Sequence, residues 1–165
     1  MKGGWWATKV RQAVRHLAGR VSADEVRALE TWLDTPTLAL FASMHPADQR
    51  HGLDVVARLR AGGHDEPDLL IAGLLHDCAK GPGVRLPHRV AWALGERYGD
   101  GVRRATSSLP GFATAFDILR DHAEASARLA EDAGCTPRTA DLIRYQETPR
   151  DQVAGNALRL ADEAS

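Results

Sequence analysis

Residues 67–83, PDLLIAGLLHDCAKGPG, decide the fold of this chain. Pro67 is typical of a first helical position and Gly81–Pro82–Gly83 is a strong helix stop, so the pattern predicts a helix from Asp68 to about Lys80. Residues 69–75 are apolar on every side of that helix. A helix that is apolar all round is buried, so this one is predicted to lie at the centre of the molecule.

His76 and Asp77 follow the apolar run without a polar transition, so two ionisable groups fall where burial is predicted. A buried charge is costly unless it is paired or bound to a metal ion. Gly73 lies one turn before Asp77, where glycine costs about 1 kcal/mol relative to alanine. Such a glycine indicates that another group approaches the helix backbone closely at this point.

Helix signals dominate the rest of the chain, and strand signals are nearly absent. A capping box, Ser22 with Glu25, opens one helix, and several prolines mark further helix starts. The other predicted helices span residues 36–42, 46–60, 87–98, 112–120, 122–133, 137–146 and 151–164. The pattern over residues 99–110 fits either a loop or a short helix. We therefore predict an all-α bundle of about eight helices.

Length and composition are those of an ordinary globular domain. The chain has 165 residues, of which 44% are hydrophobic and 26% charged, and its net charge is −1. We expect a single domain over residues 1–165, with N-terminal helices at 1–34 packed on a core at 35–165. The neutral balance and the 5% of aromatic residues argue against binding of a nucleic-acid duplex. Two isolated cysteines favour a reduced, cytoplasmic location.

The N-terminal segment is basic. It allows two interpretations, a basic amphipathic helix on a membrane surface or an ordinary surface helix with its apolar side packed inward. The apolar residues at helical spacing are Trp6, Val10, Val14 and Leu17. No apolar run of the secretory type follows the charges, and no stretch approaches the roughly 20 apolar residues of a membrane span.

Other ionisable side chains also lie on predicted apolar faces. His51 precedes Val55 and Leu59 at four-residue steps, and Asp162 follows Leu158 by one turn, so both are predicted to point inward. His122 opens a predicted helix whose Ala125, Leu129 and Ala133 follow at similar steps. Each residue alone is compatible with a hydrogen-bonded core histidine or an aspartate that tethers a helix end. Together, imidazoles and carboxylates from four helices form a mixed nitrogen and oxygen set suited to Mn, Fe, Co, Ni or Zn.

The order of these residues resembles the HD superfamily of metal-dependent phosphohydrolases. LLHD followed by CAK is similar to the signature of that family, and the resemblance covers residues from about 40 to 165. The matching segments are DQRHGLDVVARL at 48–59, LLIAGLLHDCAKG at 69–81 and LRLADEAS at 158–165. DHAEASARLAEDAG at 121–134 is similar to the histidine-led helix of a branch with an extended site.

The resemblance implies a compact HD-domain helical bundle with a divalent metal ion as cofactor. His51, His76, Asp77 and Asp162 would bind the ion, and His122 would be a further ligand or contact the substrate. Gln146 stands roughly where the two-metal branch has a histidine, so one ion is expected and a second is possible. Lys80 replaces the glutamate that the nucleotidase-like branch has three residues after the aspartate.

The activity that the resemblance implies is hydrolysis of a phosphomonoester or phosphodiester of a nucleotide or a small phosphorylated metabolite by metal-activated water. Lys80 is the first candidate for binding the phosphate, followed by Arg89 and Arg50. The candidate catalytic residues are Asp77, Lys80 and His122. The general acid stays open between Asp48 and His122.

Other classes of function remain open from the sequence. The main alternative is a regulatory module that binds a metal and a nucleotide without turnover. A purely structural bundle and a di-iron oxygenase are further alternatives, and Gln146 counts against the oxygenase because two irons need more ligands. A homodimer is possible.

Overall fold

A computed structural model describes residues 20–165 of the chain, and the predicted all-α class is confirmed there. No strand occurs among these residues, and none of their helices has the length and apolarity needed to cross a membrane. The nine described helices are α1 (Ala23–Glu30), α2 (Thr35–Ser43), α3 (Pro46–Ala61), α4 (Pro67–Leu75), α5 (Leu86–Tyr98), α6 (Asp100–Ser107), α7 (Phe112–Asp132), α8 (Pro137–Arg144) and α9 (Ala154–Ala164). The predicted N-terminal helix with Trp6 lies outside the described residues.

Helix α4 lies at the centre of the bundle, as its apolar sequence predicts. Leu69, Leu74 and Leu75 have no exposed surface, and the helix packs against α3, α8 and α9. Burial of each leucine side chain contributes about 1.5–3 kcal/mol. The apolar run therefore fixes where the C-terminal end of α4, and with it His76, lies in the core.

Two glycines allow α3 and α4 to approach each other closely. A Cβ atom added to Gly52 of α3 would lie 2.4 Å from the carbonyl oxygen of Leu74. One added to Gly73 of α4 would lie 2.8 Å from Cδ1 of Leu59. The prediction that a group approaches Gly73 closely is thus confirmed, and α3 is the element that does so.

Helix α4 ends at Leu75, so the prediction that it continues to about Lys80 is wrong. The carbonyl oxygen of His76 accepts a hydrogen bond from Nε2 of Gln146 at 3.3 Å, and the Lys80 N–H bonds the carbonyl of Asp77 instead. The Ala79 N–H donates to Oγ of Ser126 on α7 at 3.0 Å. Side chains from other parts of the chain thus bond the backbone N–H and carbonyl groups that would have formed the next helical hydrogen bonds.

Residues 112–132 form one helix, α7, where the sequence predicts two. His122 lies in its middle rather than at a helix start. The predicted inward positions Ala125 and Leu129 are exposed, whereas Ser126 and Ala130 are buried. Exposed Asp121 pairs with Arg120, so nothing breaks the helix there. His122 therefore shares its inward face with the residues four and eight positions further on.

The boundaries of the last two helices differ from the prediction by two or three residues. Helix α8 ends at Arg144 rather than Gln146. Helix α9 begins at Ala154 rather than Asp151. Oδ1 of Asp151 accepts hydrogen bonds from the N–H groups of Val153 and Ala154 at 3.0 and 2.9 Å. Asp151 thus caps the free amide groups before the helix instead of forming its first turn.

Helix α5, the segment that precedes it and the first half of α7 form a second, smaller hydrophobic core. Its buried residues are Val84, Ala91, Ala115, Phe116 and Leu119. Helix α6 occupies the stretch that the sequence leaves open between a loop and a short helix. This layer packs on α7 and begins directly after the turn that carries Lys80.

Candidate metal centre

Side chains from four helices meet at the end of α4. His51 comes from α3, His76 and Asp77 from the turn directly after α4, and Asp162 from α9. His122 of α7 approaches from the other side. Val55 and Leu158, which share the inward faces of α3 and α9, are buried, so the predicted orientation of those two faces is confirmed.

The nitrogen and oxygen atoms of this cluster lie within a few ångströms of one another. Nε2 of His51 is 2.8 Å from Oδ1 of Asp162, and Nε2 of His76 is 3.4 Å from the same oxygen. Nε2 of His76 is 3.6 Å from Oδ2 of Asp77. One possible ligand atom each from His51, His76 and Asp77 lies within 4.8 Å of the others. Ligands at about 2.0–2.2 Å from a tetrahedral ion are about 3.3–3.6 Å apart. The two spacings from Nε2 of His76 fall in this range, whereas the 2.8 Å between His51 and Asp162 is the distance of a direct hydrogen bond.

Backbone carbonyls orient two of the histidines. Nδ1 of His76 is 3.0 Å from the carbonyl oxygen of Gly73, and Nδ1 of His122 is 2.6 Å from that of Leu119. A carbonyl only accepts, so each Nδ1 carries the proton in the neutral ring and each Nε2 keeps its lone pair. This is the arrangement that metal-binding histidines use.

Two buried atoms of the cluster have no hydrogen-bond partner within residues 20–165. They are Nε2 of His76 and Oδ1 of Asp77, and the two residues are only 1% and 3% exposed. Nε2 of His122 faces that oxygen at 3.5 Å, although both atoms are acceptors when the ring is neutral. Unpaired buried acceptors are costly. In the metal-free protein a proton on Nε2 of His76 would face the carboxylates of Asp77 and Asp162 at 3.6 and 3.4 Å. A divalent ion in its place would also satisfy Oδ1 of Asp77 and Nε2 of His122, so the residues fit such an ion.

The charges in the cluster shift several pKa values. Burial lowers the pKa of His76, but the carboxylates of Asp77 and Asp162 outweigh this effect and raise it to about 9. Burial raises the pKa of Asp77, yet His76 and Lys80 hold it well below its ordinary value. Burial and the positive charge of Lys80 lower the pKa of His122. The site thus combines ionised carboxylates with a neutral His122 near neutral pH.

Lys80 is the cation nearest to this cluster within the described part of the chain. Its Nζ is 2.5 Å from Oδ2 of Asp77, and its side chain is 16% exposed. The three predicted catalytic residues, Asp77, Lys80 and His122, are therefore neighbours. Lys80 follows Asp77 by three residues, so the two side chains meet within the turn over residues 76–80.

Two other residues support the site without carrying an obvious signal in the sequence. Gln146 is buried and holds the His76 carbonyl, which is a positioning contact. Ser126 is fully buried, and its Oγ holds the Ala79 N–H. A serine within an otherwise ordinary helix gives no functional signal. Its place one turn beyond His122 is the feature that could have pointed to it.

The predicted phosphate-binding arginines have other partners in the structure. Arg50 forms ion pairs with Glu25 and Asp54, which ties α1 to α3. Arg89 forms an ion pair with Asp48. Substrate binding by Arg50 stays a prediction. Asp48 is the charge partner of the Arg89 guanidinium group. A carboxylate held ionised by such a partner is a poor proton donor, which counts against Asp48 as the general acid.

Comparison of the chain with protein-family models, curated proteins and solved structures gave no match. The resemblance to the HD superfamily therefore rests on the order of residues in the sequence alone.

We expect metal affinity to increase with pH. The pKa of His76 is raised above its ordinary 6.5 to about 9, and only the neutral ring binds a metal, so the ion must displace a proton. Kd should fall about tenfold per pH unit from pH 6.5 to 8.5. The raised pKa stabilises the metal-free protein fully below pH 6.5, and this contribution is lost as the pH rises through about 9.

Calorimetric titration with Mn²⁺ in buffers of different ionisation enthalpy measures both the affinity and the proton released. We expect about one proton per ion near pH 7.5. Affinity that is independent of pH, with no proton release, would contradict a site that contains His76.

Proposed function

We propose that this chain is a metal-dependent phosphohydrolase of the HD superfamily, acting on a phosphate ester of a nucleotide or another small metabolite. His51, His76, Asp77 and Asp162 would hold one divalent ion, with His122 as a further ligand or a substrate contact. One observation carries the proposal: the buried Nε2 of His76 and Oδ1 of Asp77 lack hydrogen-bond partners within the described residues, beside a lysine that pairs with the other oxygen of Asp77. A structural bundle gains nothing from such an arrangement.

A bound divalent ion would supply an acidified water and a Lewis acid for the phosphoryl oxygen. Nζ of Lys80 lies at the edge of the site, where it would bind a phosphate oxygen and offset the charge that develops on it. Asp77 holds that ammonium group in place. Nε2 of His122 keeps its lone pair and would accept a proton or a hydrogen bond from the substrate.

A single ion is the better fit. The Gln146 amide group donates to the His76 carbonyl from a buried position, so this side chain is engaged in positioning α4 and its neighbour α8. An amide is also a weaker ligand than imidazole for ions such as Mn²⁺, Co²⁺ and Ni²⁺. We therefore propose a site with one ion, in which Gln146 holds the backbone of a ligand.

Release of phosphate from a panel of nucleotides, sugar phosphates and cyclic diesters tests the proposal. The purified protein is stripped with chelator and then loaded with Mn²⁺, Co²⁺ or Ni²⁺. We expect turnover with at least one ester and one ion, and no turnover after removal of the metal. If none of these esters is hydrolysed with any of the three ions, the proposed activity is wrong.

Lys80→Met is expected to raise KM for the phosphoester about tenfold or more while leaving metal affinity within about threefold. The methionine keeps the length of the side chain but removes the charge that faces the phosphate. Steady-state kinetics and metal titration measure the two effects. Arg128→Lys on the exposed side of α7 is the control, and an unchanged KM in Lys80→Met would show that Lys80 does not bind the substrate.

The alternative is a regulatory module that binds a metal and a nucleotide without hydrolysis. The ion pair of Lys80 with Asp77 favours it, because the nearest cation is used within the site. Tight nucleotide binding by the metal-loaded protein without turnover is the result that this alternative expects.

A further inference from the structure

Asp48 and Arg89 form an ion pair that joins two layers of the fold. Nη1 of Arg89 is 2.7 Å from Oδ1 of Asp48, and Nη2 is 2.8 Å from Oδ2. Asp48 is only 1% exposed, and the Arg89 side chain is 20% exposed. Oδ1 of Asp48 has no hydrogen bond of suitable geometry within the described residues. The contact therefore combines one hydrogen bond with a close ion pair, and it holds α3 near α5.

Arg89 also binds the backbone that follows Lys80. Its Nε donates to the carbonyl oxygen of Val84 at 3.3 Å, and Val84 is buried in the second core. Val84 lies four residues after Lys80, and Asp48 lies one turn before His51 on α3. One guanidinium therefore links the segment that carries the lysine to the helix that carries a candidate metal ligand.

We infer that Asp48 and Arg89 are positioning residues that hold Lys80 at the correct distance from the metal site. This inference rests on the proposed function. The guanidinium group of Arg89 contacts Asp48 and Val84, so positioning is the role that these contacts support, and phosphate binding by Arg89 stays a prediction. The contact holds the start of the second core, four residues after Lys80, against α3.

The energetics of buried ion pairs support positioning over stabilisation. Desolvation offsets most of the attraction between two buried charges, and apolar residues of similar volume often replace such a pair at no cost in stability. Removal of one partner leaves a buried charge unpaired and is strongly destabilising. A variant that lacks one of the two charges would therefore mainly measure the effect on folding. Replacing both residues with apolar side chains of similar volume is needed to separate the positioning role from the role in stability.

The test compares Asp48→Leu/Arg89→Met and Arg89→Lys with the wild-type chain. The double variant removes both charges together, while Arg89→Lys keeps one charge but loses the planar contact that reaches Val84 as well. We expect the double variant to melt within about 5 °C of wild type and to bind Mn²⁺ with unchanged affinity. Both variants should show KM for the phosphoester raised about tenfold, with kcat within about threefold of wild type.

Limited trypsin digestion of the metal-free protein gives a readout that does not depend on activity. Cleavage after Lys80 or exposed Arg85 reports loosening of residues 81–85. We expect this cleavage to be about tenfold faster in both variants and unchanged in Arg128→Lys, which alters an exposed ion pair elsewhere.

Wild-type KM and wild-type resistance to trypsin in Arg89→Lys would overturn the inference, whether or not the double variant folds. If the wild-type chain hydrolyses no phosphoester, the proposed function fails, and trypsin digestion still decides whether the pair holds the segment.

Discussion

Asp77→Asn is expected to abolish metal binding and to lower phosphoester hydrolysis by on the order of 10³ or more. The variant keeps the shape of the side chain but removes a negative charge that lies at the centre of the cluster. Its Oδ2 is the partner of Lys80, and its Oδ1 lacks a hydrogen-bond partner within the described residues. The neutral amide can turn its N–H₂ group towards Nε2 of His122 and keep its oxygen on the Lys80 ammonium group. We therefore expect the variant to fold, with lower stability because Lys80 loses its charge partner.

Thermal denaturation with and without Ni²⁺ or Mn²⁺ separates this loss from misfolding. Wild-type protein should gain in Tm as the ion is added, since a ligand that binds only the folded state stabilises it. Asp77→Asn should fold but show no gain. Asp121→Asn is the matched control, because Asp121 is exposed next to His122 and pairs with Arg120 away from the cluster. Wild-type metal affinity in Asp77→Asn would show that the cluster binds no ion through this carboxylate.

Gly52→Ala is expected to destabilise the fold by about 3 kcal/mol or more and to weaken metal binding. The added Cβ would lie 2.4 Å from the carbonyl oxygen of Leu74. Backbone of a central helix cannot rotate out of the way as a side chain does, so α3 and α4 must separate. These two helices carry His51 and His76, and the separation would move one candidate ligand away from the other.

Gly101→Ala provides the control for glycine replacement. Gly101 lies in α6, and a Cβ added there meets nothing within 4 Å, so this variant should be neutral or more stable by about 0.5–1 kcal/mol. Urea denaturation and Mn²⁺ titration measure both variants. A Gly52→Ala protein with wild-type stability would mean that the close approach of α3 to α4 is not required.

The helical class and the central position of α4 follow from the chain alone. Residues 69–75 leave no polar face on the helix, so a stable fold must bury that helix on all sides. The inward orientation of His51 and Asp162 is predictable for a similar reason, since periodic apolar neighbours such as Val55 and Leu158 define the inward face. These inferences depend only on the pattern of residues within one helix, so they do not require knowledge of how the helices pack together.

The end of α4 is decided by tertiary contacts. An α-helix continues as long as each carbonyl oxygen accepts a hydrogen bond from the N–H group four residues later. No residue between Leu75 and Gly81 is of a type that would prevent these hydrogen bonds. Gln146 and Ser126, which are distant in the chain, take the relevant backbone groups. The Lys80–Asp77 pair is local in the chain, whereas the end of the helix depends on residues 47 and 70 positions away.

The ion-pair partners of charged side chains likewise cannot be predicted from the sequence. Arg89 and Asp48 are 41 positions apart, and an exposed arginine gives the same local pattern as a buried one. The predicted inward face of α7 is wrong because alanines occupy both sides of that helix, so apolar spacing cannot distinguish Ala125 from Ser126. The sequence by itself determined the helical class, the central position of α4 and the presence of ionisable groups on apolar helix faces. The tertiary structure decided which of those groups meet, because the contacts between helices depend on packing and not on spacing along one helix.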